Sequence, residues 1–269
     1  MIRDLYQQRA LIWAFASRDL ATRYRSSALG WLWSLLQPLA QLVVFSVVFS
    51  TVFRIVPPPL GNGQTDVGGM GYAAFLFSGM VAWNLFSGMI NISMMQLKDN
   101  GSLLKKVNFP AWAPVLGASV IQLIQSGLEI VVLMVLLLVL ANVGWTWLLV
   151  IPILLATALF GLGIGLVLSI LNAKYGDVAH IVAVFLGAFY FLTPILYPLS
   201  LVEEQSTLFA TIIKFNPMTW YVESMHDAMY SLQAPSLLVL VSIVIGGLLV
   251  FLAGLSYFDR ASRDLREIL

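Results

Sequence analysis

Long runs without charge dominate this sequence. Ser26 to Phe53 holds no Asp, Glu, Lys or Arg, nor does Val67 to Leu97, and from Val107 to Ala173 the only charge is Glu129. A helix of about 20 apolar residues crosses the hydrocarbon of a bilayer. The runs therefore predict six spans, at about 31–53, 72–96, 111–141, 147–171, 178–200 and 236–257. The third and fourth come from one run divided at Asn142 and Gly144, where Trp145 and Trp147 mark a turn at a membrane interface. The runs are continuously apolar rather than alternating, so helices fit them and barrel strands do not.

The segments between spans have characters of their own. Residues 1–30 read as an amphipathic surface helix, with Leu5, Ile12, Trp13, Ala16 and Leu20 on one side and Arg3, Arg18 and Arg25 opposite. Pro57, Pro58 and Pro59 followed by five glycines make 55–71 a loop, and 98–110 is a basic loop. Residues 201–235 mix acids with aromatics. Within them Asn216-Pro217 is a helix start, Asn capping and Pro in the first turn. Met218, Tyr221, Val222, Met225, Met229 and Leu232 then repeat at three and four, the pattern of an amphipathic helix too polar to span.

Composition agrees with the pattern. The chain is 60% hydrophobic and only 10% charged, with a mean hydropathy of +0.91, against roughly 25% charge in a soluble domain. The net charge of +1 is uninformative, but its distribution is not. With the N-terminus inside, twelve of the fourteen Lys and Arg residues fall on inner segments, leaving Arg54 and Lys214 outside. The positive-inside rule then sets both termini in the cytoplasm. The first 25 residues do not read as a cleaved signal peptide, because five arginines are spread along them.

Catalytic and nucleotide-binding patterns are missing. No Gly-Lys pair occurs, so there is no P-loop, and there is no G-x-S-x-G elbow. Cysteine is absent, and His180 and His226 fall on opposite sides of the predicted membrane, where they cannot share a metal. Nucleic acid is not an expected partner, nor is any cofactor bound by the chain itself. Gly161, Gly163 and Gly165 read as close helix packing inside span four. Glu129, deep in span three, either lines a polar or proton-carrying pathway or makes a structural hydrogen bond near Gln122 and Gln125. Gln37, Gln41, Asn84, Asn91 and Gln96 read one by one as interhelix hydrogen-bonding residues or as lining of a wet cavity. Among many aromatics, Trp83, Phe86, Tyr190 and Phe191 are candidates to line a sugar path together with Glu129. Glu203, Glu204, Glu223 and Asp227 read either as a solvated face or as an acid/base set.

Three stretches carry a family resemblance. They are Arg18 to Trp33 (RDLATRYRSSALGWLW) followed by Gln37-Pro38-Leu39, Asn100 to Pro110 (NGSLLKKVNFP), and Asn172 to Val178 (NAKYGDV) with Asn216-Pro217-Met218 beyond. With six spans, the chain resembles the permease subunits of type-2 ABC exporters for O-antigen, capsule and teichoic acid polymers. The resemblance implies an all-α integral membrane fold with six transmembrane helices per subunit, an N-terminal interface helix and outer re-entrant short helices. It implies one permease domain over 1–269: interface helix 1–30, spans one to five over 31–200, re-entrant helices 201–235, span six at 236–257 and a cytoplasmic tail 258–269.

Residue roles follow from the same resemblance. Arg18, Asp19, Arg23, Tyr24 and Arg25 would sit on the interface helix where lipid headgroups gain access. Leu103, Leu104, Lys105, Lys106, Val107, Asn108 and Phe109 would form the coupling helix seated in the ATPase, with Lys174, Tyr175 and Asp177 as a second contact. Expected partners are a second copy of the chain, two cytoplasmic ATPase subunits carrying MgATP, membrane lipids and a lipid-linked polysaccharide, all at a bacterial inner membrane. The expected function is export of an undecaprenyl-diphosphate-linked glycan, O-antigen above teichoic acid, capsule or another lipid or drug. A membrane-embedded transferase for lipid-linked sugars and an ion-coupled carrier using Glu129 are the rival readings.

Overall fold

A computed structural model of the chain describes residues 8–23, 30–54, 56–65, 69–107 and 109–265. Every regular element among them is helical: α1 (Arg9–Arg23), α2 (Trp33–Val47), α3 (Gly69–Asp99), α4 (Gly101–Lys106), α5 (Trp112–Val139), α6 (Val150–Lys174), α7 (Val178–Phe191), α8 (Leu199–Gln205), α9 (Thr207–Phe215), α10 (Pro217–Met225) and α11 (Leu237–Leu265). Short 3₁₀ turns lead into α2 and α6, and π-helical turns extend α2 over Val48–Val52 and α10 over His226–Tyr230.

Among the described residues, five helices are long and apolar enough to cross a membrane: α2 with its π turn, α3, α5, α6 with its 3₁₀ lead-in, and α11. The predicted fifth span is shorter than expected. α7 stops at Phe191, and its 14 residues reach only about 21 Å at 1.5 Å per residue. Pro194 accounts for the stop, since the residue before a proline avoids the helical region. A turn follows, in which Tyr72 Oη donates to the Leu196 carbonyl at 2.7 Å.

Helices α3 and α6 form the buried centre, and α2 and α11 lie outside with mostly exposed apolar faces. The glycines of α6 explain the close packing. A Cβ at Gly161 would lie 2.8 Å from the Phe86 carbonyl of α3, and one at Gly165 would lie 2.7 Å from Ser93 Cβ. On the other side a Cβ at Gly163 would lie 2.5 Å from the Val250 carbonyl of α11. Small residues thus let three backbones touch, as expected inside a membrane. The turn after α5 also forms where the sequence puts it. It closes as a Schellman motif, Asn142 N–H to Leu137 O at 2.9 Å and Ala141 N–H to Leu138 O at 3.0 Å. The left-handed residue is Ala141, at φ 52°, rather than Gly144.

The polar segments sort to two ends. At one end α1, α4, the last turn of α6 and the second half of α11 share an apolar cluster of Phe15, Leu104, Phe109, Ile170 and Phe258. This end carries nine of the eleven Lys and Arg residues in the described segments and is here called the basic end. Arg54 and Lys214 mark the other. There the loop over 56–65, the 140–146 turn and the 226–232 segment are knotted around Asn142, which is fully buried. Asn142 Nδ2 donates to the carbonyls of Met229 (3.1 Å) and Tyr230 (2.9 Å), and its Oδ1 accepts from the Asn62 N–H at 3.1 Å.

Candidate functional site

At the basic end α1 lies across the first turns of α5. Its buried face differs from the predicted one. Phe15 and Ala16 are buried, whereas Trp13 and Leu20 point outward. The rotation has a local cause. Gly117 lets Phe15 and the Ile12 carbonyl approach α5 closely, with a Cβ there 2.7 Å from Phe15 Cβ. Phe15 also packs on Phe109, ring centroids 5.3 Å apart. Leu5 lies outside the described residues.

Arg18 joins α1 to the basic loop. Its Nη2 donates to Asn100 Oδ1 at 2.7 Å and to Asp19 Oδ1 at 2.9 Å, and its guanidinium lies 4.8 Å from the Phe15 ring centre. Asn100 in turn donates from Nδ2 to the Gln96 carbonyl and to Gln96 Oε1. Asn100 was legible only as part of a motif, and nothing in the sequence pairs it with Arg18. Arg23 closes α1. Its side chain lies outside the described residues, as do Tyr24, Arg25 and Asn108.

The loop over 101–109 is two-sided. Leu104 and Phe109 are buried in the basic-end cluster and Leu103 is half-buried, while Lys105, Lys106 and Val107 are exposed. The anchored residues hold the loop to this chain and the exposed ones form a basic surface. Lys174, Tyr175 and Asp177 are exposed at the same end, after α6. That surface was assembled in sequence from separate stretches, and the fold brings them to one end.

Above this surface α3 carries a polar stripe. Asn84, Ser87, Gly88, Asn91, Gln96, Asp99 and Asn100 line two cavities that share Asn91 and Ile92. The lower cavity, about 530 Å³, reaches Arg18, Asp19 and Thr22. The upper, about 250 Å³, lies between α3, α2 and α5 and is faced by Gln37, Gln41, Gln122, Gln125 and Glu129. Glu129 is completely buried, and its Oε2 accepts from Asn84 Nδ2 at 3.2 Å. Gln122 Nε2 donates to the Asn84 carbonyl at 3.2 Å. Gln122 lies flat across α3 because residue 88 is glycine; a Cβ there would overlap its carboxamide.

The aromatic candidates are placed differently. Trp83, Phe86 and Tyr190 are buried within the chain, Trp83 standing edge-on to Tyr190 at 5.5 Å and Phe86 stacked on Phe160 at 5.5 Å. Phe191 is 62% exposed at the end of α7. Of the five residues read as channel lining, only Glu129 faces a cavity described here. Among the acidic residues, Glu203 and Glu204 are exposed. Glu223 faces the half-buried Asp227 and the buried His226, whose Nδ1 is 3.4 Å from Glu223 Oε1. No group of three metal-ligating side chains occurs among the described residues.

A family model for the ABC-2 type transporter matches residues 10–230, from the start of α1 through the π turn after α10. The chain belongs to the ABC-2 type transporter family. It is therefore a multi-pass membrane component of a transporter and not an enzyme, and such permeases work with an ATPase partner. Similar proteins include the O-antigen export system permease protein RfbA of Myxococcus xanthus, 29% identical over 99% of this chain and 98% of that protein. An RfbA of Klebsiella pneumoniae is 26% identical over 96% and 95%. The polysialic acid transport protein KpsM of Escherichia coli is 22% identical over 82% and 81%. The ABC-2 match covers every element of the basic end except the tail of α11.

Proposed function

We propose that this ABC-2 permease forms the membrane channel of an ATP-driven exporter of undecaprenyl-diphosphate-linked polysaccharide, of the O-antigen class. The observation that carries the reading is a likeness running nearly end to end with O-antigen export permeases, joined to a basic end built to meet a partner. The chain has no P-loop, so the energy for transport comes from a separate subunit that binds MgATP. Lys105, Lys106 and Val107 form the part of the coupling loop that touches it, held in place by Leu103, Leu104 and Phe109, with Lys174, Tyr175 and Asp177 as a second contact. Arg18, Asp19, Arg23, Tyr24 and Arg25 meet anionic lipid headgroups at the mouth of the lower cavity.

The charge bias sets the basic end in the cytoplasm, with both termini on that side. α7 with the turn after it makes the sixth crossing, and α8 to α10 re-enter the outer leaflet to close the path from outside. One bundle is thin for a polymer. The exposed apolar faces of α2 and α7 are where a second copy joins, so that two permeases and two ATPases form the complex. Closure of the ATPases moves the coupling loops and opens the channel between the copies, where Trp83, Phe86, Tyr190, Phe191 and Glu129 come to the lining.

Copurification from detergent tests this. A P-loop ATPase in one-to-one ratio is expected with the parent chain. The double variant Lys105→Glu, Lys106→Glu should lose at least about tenfold of that association while inserting normally, because it changes only exposed charge. Full association in the charge-reversed protein would sink the coupling assignment, and no ATPase with the parent chain would sink the exporter reading.

A further inference from the structure

The upper cavity is polar, lies between membrane-spanning helices, and has a chemistry that selects its ligand. Asn84 Nδ2 donates to Glu129 Oε2 and Gln122 Nε2 to the Asn84 carbonyl. Glu129 Oε1 is buried and accepts no hydrogen bond. What the cavity offers is a set of carboxamides, each both donor and acceptor, around one carboxyl group. Among the described residues no Lys or Arg lines it, so a phosphate would meet only the Glu129 carboxyl. One carboxylate without a second acid is also a poor cage for a divalent cation, which takes six or more oxygens at close range. A neutral ligand rich in hydroxyls fits best, since each hydroxyl can donate to the Glu129 carboxyl or an amide oxygen and accept from an amide N–H.

The shape points the same way. The upper cavity shares two wall residues, Asn91 and Ile92, with the lower one. From Asp99 to Asn84 the stripe on α3 runs about 22 Å along the helix. Gln37 and Gln41, one turn apart on α2, are exposed along its edge. A row of uncharged amides with one acid gives many weak contacts and no deep trap. That suits a polymer that has to keep moving, since a conduit needs sites that are favourable to occupy and easy to leave.

We propose that this groove is a sliding site for the hydroxyls of the exported glycan, with Glu129 as its strongest acceptor and Asn84, Gln122, Gln125, Gln37 and Gln41 around it. The proposal rests on the export reading above and adds where, on each copy's share of the channel wall, the sugar runs. In it the diphosphate stays at the basic end near Arg18, and the glycan, not the lipid, occupies the groove.

The absence of cysteine from the chain allows a direct test. Ser87→Cys puts one thiol of nearly unchanged size on the groove wall, and Gln64→Cys puts one on the exposed outer loop. Each full-length permease is assembled with its ATPase in nanodiscs, and alkylation by a small maleimide is timed. The probes are lipid-linked glycan extracted from the cells in which the chain is native, undecaprenyl phosphate alone, and 200 mM NaCl or KCl in place of choline chloride. The glycan should slow alkylation at Ser87→Cys about fivefold or more and leave Gln64→Cys unchanged, with no effect from the other probes. Adding Glu129→Gln should raise the glycan concentration giving half-protection about tenfold. ATP hydrolysis is measured in parallel. Stimulation of hydrolysis by the glycan without protection of Ser87→Cys overturns the groove assignment alone. Protection by Na⁺ or K⁺ instead of glycan makes it a cation site and also overturns it. A glycan that neither stimulates hydrolysis nor protects overturns the export reading and this site with it.

Discussion

Gly246 and Gly247 stand side by side on α11 and should respond to alanine in opposite directions. Nothing lies within 4 Å of a Cβ built at Gly246, whereas one at Gly247 would be 2.6 Å from the Ala156 carbonyl of α6. Ordinary carbon contacts lie at about 3.5–4 Å, so α11 has to retreat by about 1 Å in the second case. A gap of that size forfeits roughly a quarter to a half of the dispersion attraction across the contact, and overpacking of this kind costs about 1–3 kcal/mol. The intrinsic preference of a helix for alanine over glycine, about 1 kcal/mol or less, is common to both sites and cancels in the comparison. Gly247→Ala should therefore melt about 2–12 °C below Gly246→Ala, at roughly 2–4 °C per kcal/mol for a chain of this size. The assay is the fraction of monodisperse protein remaining after heating in detergent, read by tryptophan fluorescence on a sizing column. Gly246→Ala should match or slightly exceed the parent. Equal melting of the two variants would show that α6 and α11 do not touch backbone to backbone, and the account of the α6 glycines would fall with it.

Two further outcomes concern the end opposite the basic one. Asn142→Leu keeps the branching of the side chain but removes three hydrogen bonds from a fully buried site. Tyr230 O keeps the Gly61 N–H as a partner, so the cost should be about 2–4 kcal/mol rather than the sum of three orphaned groups, seen as a lower melting temperature and faster proteolysis of the loop over 56–65. Burial, reinforced by the Glu223 carboxylate and opposed by His226, pushes the Asp227 carboxyl up to about 6 from its ordinary value near 3.8. The folded state then holds the proton more tightly than the unfolded one, so this group favours the fold more as pH falls from about 6 to 4 and less as pH rises through 6. Asp227→Asn should flatten that part of the melting profile, and an unchanged slope between pH 6 and 4 would count against the burial of this carboxyl.

Much of this fold is written in single-residue chemistry that survives without tertiary knowledge. The Asn216-Pro217 start is one case: Asn216 Oδ1 accepts from the Met218 N–H at 2.8 Å, with Pro217 opening α10. The apolar repeat after it is another, since Met218, Tyr221, Val222, Met225 and Met229 are all buried. What periodicity missed are features set by a neighbour. The rotation of α1 depends on Gly117 and Phe109, far away in sequence. The end of α7 depends on Pro194, which the hydropathy of 178–200 hides. Residues after Met225 widen into a π turn closed by the Ser231 N–H to His226 O bond, where the spacing in the sequence predicts a regular 3.6-residue repeat.

The polar groove shows why sites in membranes are harder to read than spans. A soluble active site stands out because a charge or a glycine loop breaks a pattern. Here Asn84, Asn91, Gln122 and Gln125 each read as an amide that bonds to a neighbouring helix, as Asn84 and Gln122 do. Spacing alone places Asn84, Ser87, Asn91 and Gln96 near one face of α3, but a polar face can meet another helix or a cavity with equal ease. What decides is the distance of α2 and α5 from that face. Gly88 lets Gln122 fold flat onto α3, and Gln37 and Gln41 stay exposed rather than closing the gap. The groove is thus a property of three helices held apart, and one buried acid with an unused oxygen is the mark it leaves on the sequence.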